Sequence, residues 1–224
     1  MKKLIMVAMA LAIVCSASFA DDDLKEIRKE RQELRKMAKK ELSAKVDKAV
    51  KKEAKRLKKE GWMPAAGSLP IEKQLERSYM MEYEFDEDLY PKYIMGSAQS
   101  IGGNLDAAKM QATTLAITDI AGKIQTEVAA LIESTVANNQ MDKDEAASLT
   151  ESVMASKNLI SQSIARTLPV IELSRTLPNK NKEVMIRLAY SGDMAKAAAK
   201  KAVRQTMEEK GQKLHDQLDK ALGF

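Results

Sequence analysis

Tyr90-Pro91-Lys92-Tyr93-Ile94-Met95-Gly96-Ser97-Ala98-Gln99-Ser100-Ile101-Gly102-Gly103-Asn104, with the alanine-rich run from there to Asn138, decides the fold. It reads as one strand, a glycine corner and one long helix. Residues 94–98 suit extended backbone, and Pro91, which cannot donate to a ladder, suits a strand entry. Gly96 inside the run marks a close approach of another backbone or helix. Gly102-Gly103 break the strand, and Asn104 is an N-cap for the long helix. Leu105, Ala108, Ala112, Leu115, Ala116, Ile120, Ile124, Val128, Leu131, Ile132 and Val136 recur at threes and fours, so they share one helical face. Its early positions are small and its later ones large. The helix is therefore expected to approach a sheet closely at its N-terminal half and to fill wider space further along.

Downstream, Asp142 and Glu145 form an Asp-x-x-Glu capping signature for another helix, with Ala146, Leu149 and Val153 inward. Pro169 ends its continuation. Residues 170–177 then alternate, with Ile171, Leu173 and Leu177 on one face and Glu172, Ser174 and Thr176 on the other. Residues 182–190 do the same, with Val184, Ile186, Leu188 and Tyr190 inward and Glu183, Met185 and Arg187 outward. Pro178-Asn179-Lys180-Asn181 between them is turn chemistry. This predicts a β-hairpin with one apolar face, covered by helices on a single side. Ser191 caps a last helix whose face is Ala195, Ala198, Ala199, Ala202, Val203 and Met207.

Tyr90-Pro91, Gly96-Ser97-Ala98 and the small residues Ala107, Ala108, Ala112, Ala116 and Ala121 carry a resemblance. The chain resembles the LPP-twenty-type lipoprotein family over roughly residues 88–208; a related domain occurs in the flagellar ring protein FlgT. The resemblance implies an envelope protein of Gram-negative bacteria with a dodecin-like strand–helix–strand–strand–helix build and a plausible outer-membrane association. It implies no enzymatic activity and no catalytic residue.

Residues 1–20 read as an export signal: Lys2 and Lys3, an apolar run from Leu4 to Val14, and Ser18-Phe19-Ala20 before Asp21. That run is too short to span a bilayer, and no transmembrane helix is expected in the mature chain. Cys15 would be a lipidation site only against the usual pattern, because Val14 rather than a small residue precedes it. With cleavage after Ala20 the mature chain has no cysteine, which removes disulfides, thiol catalysis and cysteine-based metal sites together.

Charge is unevenly placed. The chain carries +5 overall, yet residues 24–60 alone hold sixteen Lys/Arg and seven Asp/Glu. The stretch 21–60 lacks Gly and Pro and reads as a basic helix with a narrow apolar stripe near a seven-residue period. Three readings stay open: a helix lying on its own domain or on a copy of itself, a coiled-coil arm for a partner, or a basic contact with an anionic envelope surface. Nucleic acid is not expected, since the export signal separates the chain from it and the arm lacks aromatics for stacking. Residues 61–89 come next as linker and short helix, with Gly61 a C-cap candidate and Trp62 docking near the hinge. Residues 90–210 form the α+β domain and 211–224 a helical tail.

Sites for chemistry are few. Glu82, Glu84, Asp86, Glu87 and Asp88 crowd one stretch, but it lacks the glycine and distal glutamate of a calcium loop. His215, the only histidine, sits on a charged tail helix. Gly122-Lys123 has no glycine-rich loop before it, and Gly102-Gly103 is a corner and not a dinucleotide fingerprint. The expectation is catalytic, cofactor and metal residues: none, and no cofactor. The fold class expected is α+β, a three-stranded antiparallel sheet in β-α-β-β-α order, dodecin-like and covered on one face by long helices, with an N-terminal basic helical arm. The function expected is a non-catalytic cell-envelope structural or interaction protein, self-associating or docking on an envelope protein or anionic surface through the arm. The alternative is a periplasmic small-ligand binder using a pocket between sheet and helices.

Overall fold

The sheet sets the frame. In a computed structural model that describes residues 46–86, 91–137, 142–209 and 218–219, with backbone alone at 134–137 and 209, the strands are β1 (Met63–Pro64), β2 (Tyr93–Gly102), β3 (Leu168–Thr176) and β4 (Lys182–Ser191). They pair antiparallel in the order β1-β3-β4-β2. The sheet thus has four strands, not the expected three. β1 is the addition: Met63 faces Ser174 and Pro64 faces Leu173. Two residues are too few to show alternation, and a proline is tolerated there because β1 lies on an edge.

The hairpin of β3 and β4 forms where the turn chemistry places it. Lys180 takes a positive φ of 67°, and Asn179 accepts from the Asn181 N–H at 3.1 Å. Its register corrects the one-sided covering. Leu173 stands opposite Met185 and Glu172 opposite Ile186, and cross-strand partners share a face. Ile171 and Leu173 therefore point away from the side that bears Val184, Ile186, Leu188 and Tyr190. Both faces are apolar in part, and both are covered.

On the first face lies α3 (Leu105–Ala137). Asn104 caps it, its Oδ1 accepting from the Ala107 N–H at 2.8 Å. Ala108, Ala112, Ala116, Ile120, Ile124, Val128 and Ile132 are all buried, a row with a strict step of four. A step of four over-rotates by about 40° on a helix of 3.6 residues per turn, so this row winds around the helix as it advances. Its start meets β2 and β4, and its end faces α4 (Lys143–Ala155) and α5 (Lys157–Ser163). Leu105 and Leu115, placed on that face by sequence, are half exposed. Asp142 caps α4 through the Asp144 N–H at 2.8 Å. The break between α4 and α5 is held by Gln125, whose Nε2 donates to the Val153 and Met154 carbonyls at 2.8 and 2.7 Å. α6 (Gly192–Glu209) completes this core with Ala195, Ala199, Ala202, Val203 and Met207.

On the second face lie α1, residues 46–59, and α2 (Ile71–Glu82). Met81 of α2 joins Met95, Val170 and Ala189 in a small apolar cluster there. The described residues from 46 on form one compact unit, so the end of the basic stretch and the linker after it contribute two helices and a strand to the same body as the described residues between 91 and 209. The export signal, Cys15, residues 21–45 of the basic stretch, Glu87, Asp88 and the tail at 211–224 apart from residues 218–219, His215 included, lie outside the described residues.

Candidate functional site

α1 has two faces of opposite character. Val46, Val50, Ala54 and Leu57, spaced by four, four and three, are buried, as an amphipathic helix docked on a core requires. Lys48, Lys51, Lys52, Lys55, Lys58 and Lys59 all remain exposed. Arg56 does not add to that face, since Glu53 and Glu60 hold its guanidinium at 2.5 and 2.7 Å. The Arg56 hydrogen bond keeps the Glu53 carboxyl below its ordinary range. Lys58 pairs with Glu72 of α2 at 2.5 Å and lowers that carboxyl in the same way.

The end of α1 is fixed by a Schellman motif. Gly61 adopts φ 82°, the Trp62 N–H donates to the Leu57 carbonyl at 3.0 Å, and the Gly61 N–H donates to the Lys58 carbonyl at 3.2 Å. Trp62 is buried. The Arg175 guanidinium stacks 4.6 Å from its ring centroid, and that arginine also bonds Glu183 at 2.6 Å and the Glu60 carbonyl at 3.1 Å.

Between α1, α2 and the sheet lies a cleft of about 410 Å³. Its floor includes Ser97 and Gln99 of β2, Met185 and Arg187 of β4, and Ile171 of β3; its walls include Glu53, Arg56 and Leu57 of α1 and Leu75, Ser78 and Tyr79 of α2. Arg187 ties floor to wall. Its Nε donates to Ser97 Oγ at 2.9 Å, and its Nη1 donates to Ser78 Oγ at 2.9 Å and to Glu82 at 3.2 Å. The alternation in β4 reads Met185 and Arg187 as solvent-facing. They line this cleft instead, because the register turns them toward the second helical layer. No signal in the sequence fixes that register.

In the described part of the acidic stretch, Glu82 meets Arg187, and Glu84 pairs with Lys92 at 2.7 Å. Lys123 donates to the Met95 carbonyl at 2.6 Å and contacts Asp119 at 3.0 Å, while Gly102 packs against Ala108 at the strand corner. Among the described residues no group of three or more His, Cys, Asp or Glu could hold a metal ion, and no helix is long and apolar enough to cross a membrane. Compared with protein-family models, curated proteins and solved structures, the chain matches none.

Proposed function

We propose that this chain is a non-catalytic, exported protein of the Gram-negative cell envelope that docks on an anionic envelope surface through its basic helix. One observation carries the reading. The apolar stripe of α1 is occupied by its own domain, which leaves Lys48, Lys51, Lys52, Lys55 and Lys59 outward on a helix anchored at its C-terminal end. A rigid, cationic helix face suits an anionic surface, to which each basic side chain near it adds about 1 kcal/mol. The order β2–α3–α4–α5–β3–β4–α6 contains the strand–helix–strand–strand–helix succession of the LPP-twenty-type resemblance with two further helices inserted before β3, and the proposed envelope association rests on that resemblance.

Lys51, Lys55 and Lys59 replaced together by Gln test the docking, because none of the three is buried. Co-sedimentation with isolated envelopes at low salt is expected for the parent protein, to fall steeply at high salt, and to fall similarly in the triple variant. Sedimentation that ignores both salt and the variant would sink the electrostatic reading and point to a protein partner. A second reading, periplasmic binding of a small ligand in a sheet–helix pocket, is favoured by the cleft that α1 and α2 enclose with the sheet.

A further inference from the structure

We propose that the cleft beneath α1 and α2 binds a small monocarboxylate with an apolar body, its carboxylate held by Arg187. The inference rests on the ligand-binding reading and is independent of docking through the lysines.

Two cations line the cleft, and they differ in what they still offer. Arg56 is closed by carboxylates on both sides, Glu53 and Glu60 at 2.5 and 2.7 Å. Among the described residues Arg187 has one acidic partner, Glu82, at 3.2 Å, which is long for a charge-assisted bond. Its other acceptors are the neutral hydroxyls of Ser97 and Ser78. A guanidinium has five N–H donors. The bonds above engage Nε and Nη1, and no described residue accepts from Nη2. The same hydrogen bonds fix the guanidinium in place before any ligand arrives, which lowers the ordering cost of binding. A planar carboxylate matches that fork.

The remaining lining sets the rest of the ligand. Leu57, Leu75, Ile171 and Met185 supply apolar lining, while Gln99 and Tyr79 add polar groups to it. The volume of about 410 Å³ falls within the roughly 300–1,000 Å³ of small-molecule sites. Glu53 at the wall and Glu82 beside Arg187 oppose a second negative charge, so a monoanion is preferred over a phosphate dianion.

Octanoate is the probe, with octylamine, octanol and inorganic phosphate beside it, each titrated into the protein by calorimetry and by amide-resolved NMR. Octanoate is expected to bind and to shift the amides of Ser97, Gln99 and Arg187. Arg187→Gln should weaken it by about tenfold or more, the loss of a charge-assisted contact. Gln99→Trp, at an exposed position, should block the cleft while leaving Arg187 intact, so the site is tested even where Arg187→Gln unfolds. Octanoate shifts that spare Ser97, Gln99 and Arg187, or affinity unchanged in a folded variant, overturn the proposal. Octanol or octylamine binding in the cleft without octanoate rejects the ligand class and keeps the ligand-binding reading. Silence from all four probes removes both and leaves docking through α1 standing.

Discussion

Gly96 lies so close beneath Ile120 that a Cβ added to it would stand 2.5 Å from Ile120 Cγ1, and 2.3 Å from the Ala116 carbonyl oxygen. The second of these atoms is helix backbone and cannot step aside. Replacing a glycine in extended backbone by alanine ordinarily stabilises by about 0.4–1 kcal/mol through the unfolded chain. Overpacking at such a contact costs about 1–3 kcal/mol or more, so it wins. Gly96→Ala is expected to be destabilised in urea unfolding by at least about 1 kcal/mol. Gly103→Ala, where nothing lies within 4 Å of the added atom, is expected to be neutral or slightly stabilised. Equal behaviour of the two variants would refute the close approach of α3 to β2.

That contact was legible in the sequence, as were the Asn104 cap, the glycine end of α1 and the turn at 178–181, because each depends on a residue type at a fixed offset. The edges and register of the sheet were not. β1 pairs through two residues, and Gln74 helps close the same edge from a helix. Its Oε1 accepts from the Glu172 N–H at 2.7 Å, and its Nε2 donates to the Leu69 carbonyl at 2.6 Å. Gln74 and Glu172 are 98 residues apart, so no local pattern links them and only the folded chain brings them together. The cleft shares this fate: Arg187 reaches Ser78 and Ser97 only after register and both helical layers are set.

The opposite edge is guarded by charge. β2 ends the sheet among the described residues. Along it Asp119 accepts from the Ser97 N–H at 3.0 Å, and Lys123 donates to the Met95 carbonyl at 2.6 Å. Side chains that occupy an edge ladder deny it to a second strand. Asp119→Ala with Lys123→Ala should therefore raise self-association, read as a concentration-dependent mass increase in light scattering coupled to size exclusion. The same mass as the parent at all concentrations would show that these two groups do not guard the edge.

Acid should loosen the contact between α1 and α2. Glu72 has its carboxyl held below the ordinary 4.5 chiefly by the Lys58 hydrogen bond. A carboxyl whose folded pKa is depressed contributes stability that is present above its unfolded value and is lost as pH falls through the folded one. Glu72→Gln is expected to be less stable than the parent near pH 7, by no more than about 0.2–1 kcal/mol for so exposed a pair. As pH falls below 4.5 and through the depressed folded value the two proteins should converge, and added salt should shrink the neutral-pH difference. A gap that widens on acidification would reverse the sign and show that the pair does not stabilise the fold.

Two truncations test what α1 contributes to the compact unit that begins at residue 46. A chain starting at residue 46 keeps Val46, Val50, Ala54 and Leu57, all buried. A chain starting at residue 61 loses them. Full burial of a Val or Leu is worth about 1.5–3 kcal/mol each, so their combined loss is comparable to the whole stability of a typical domain, about 5–15 kcal/mol. Trp62, the single tryptophan, sits directly after this helix and is 3% exposed, so its fluorescence reports the outcome. The chain from residue 46 should retain the parent's emission maximum and melting temperature. The chain from residue 61 should show red-shifted emission and a melting transition lowered or absent. If the shorter chain instead melts like the parent, α1 is an appendage to the sheet, and deleting it becomes a clean test of docking.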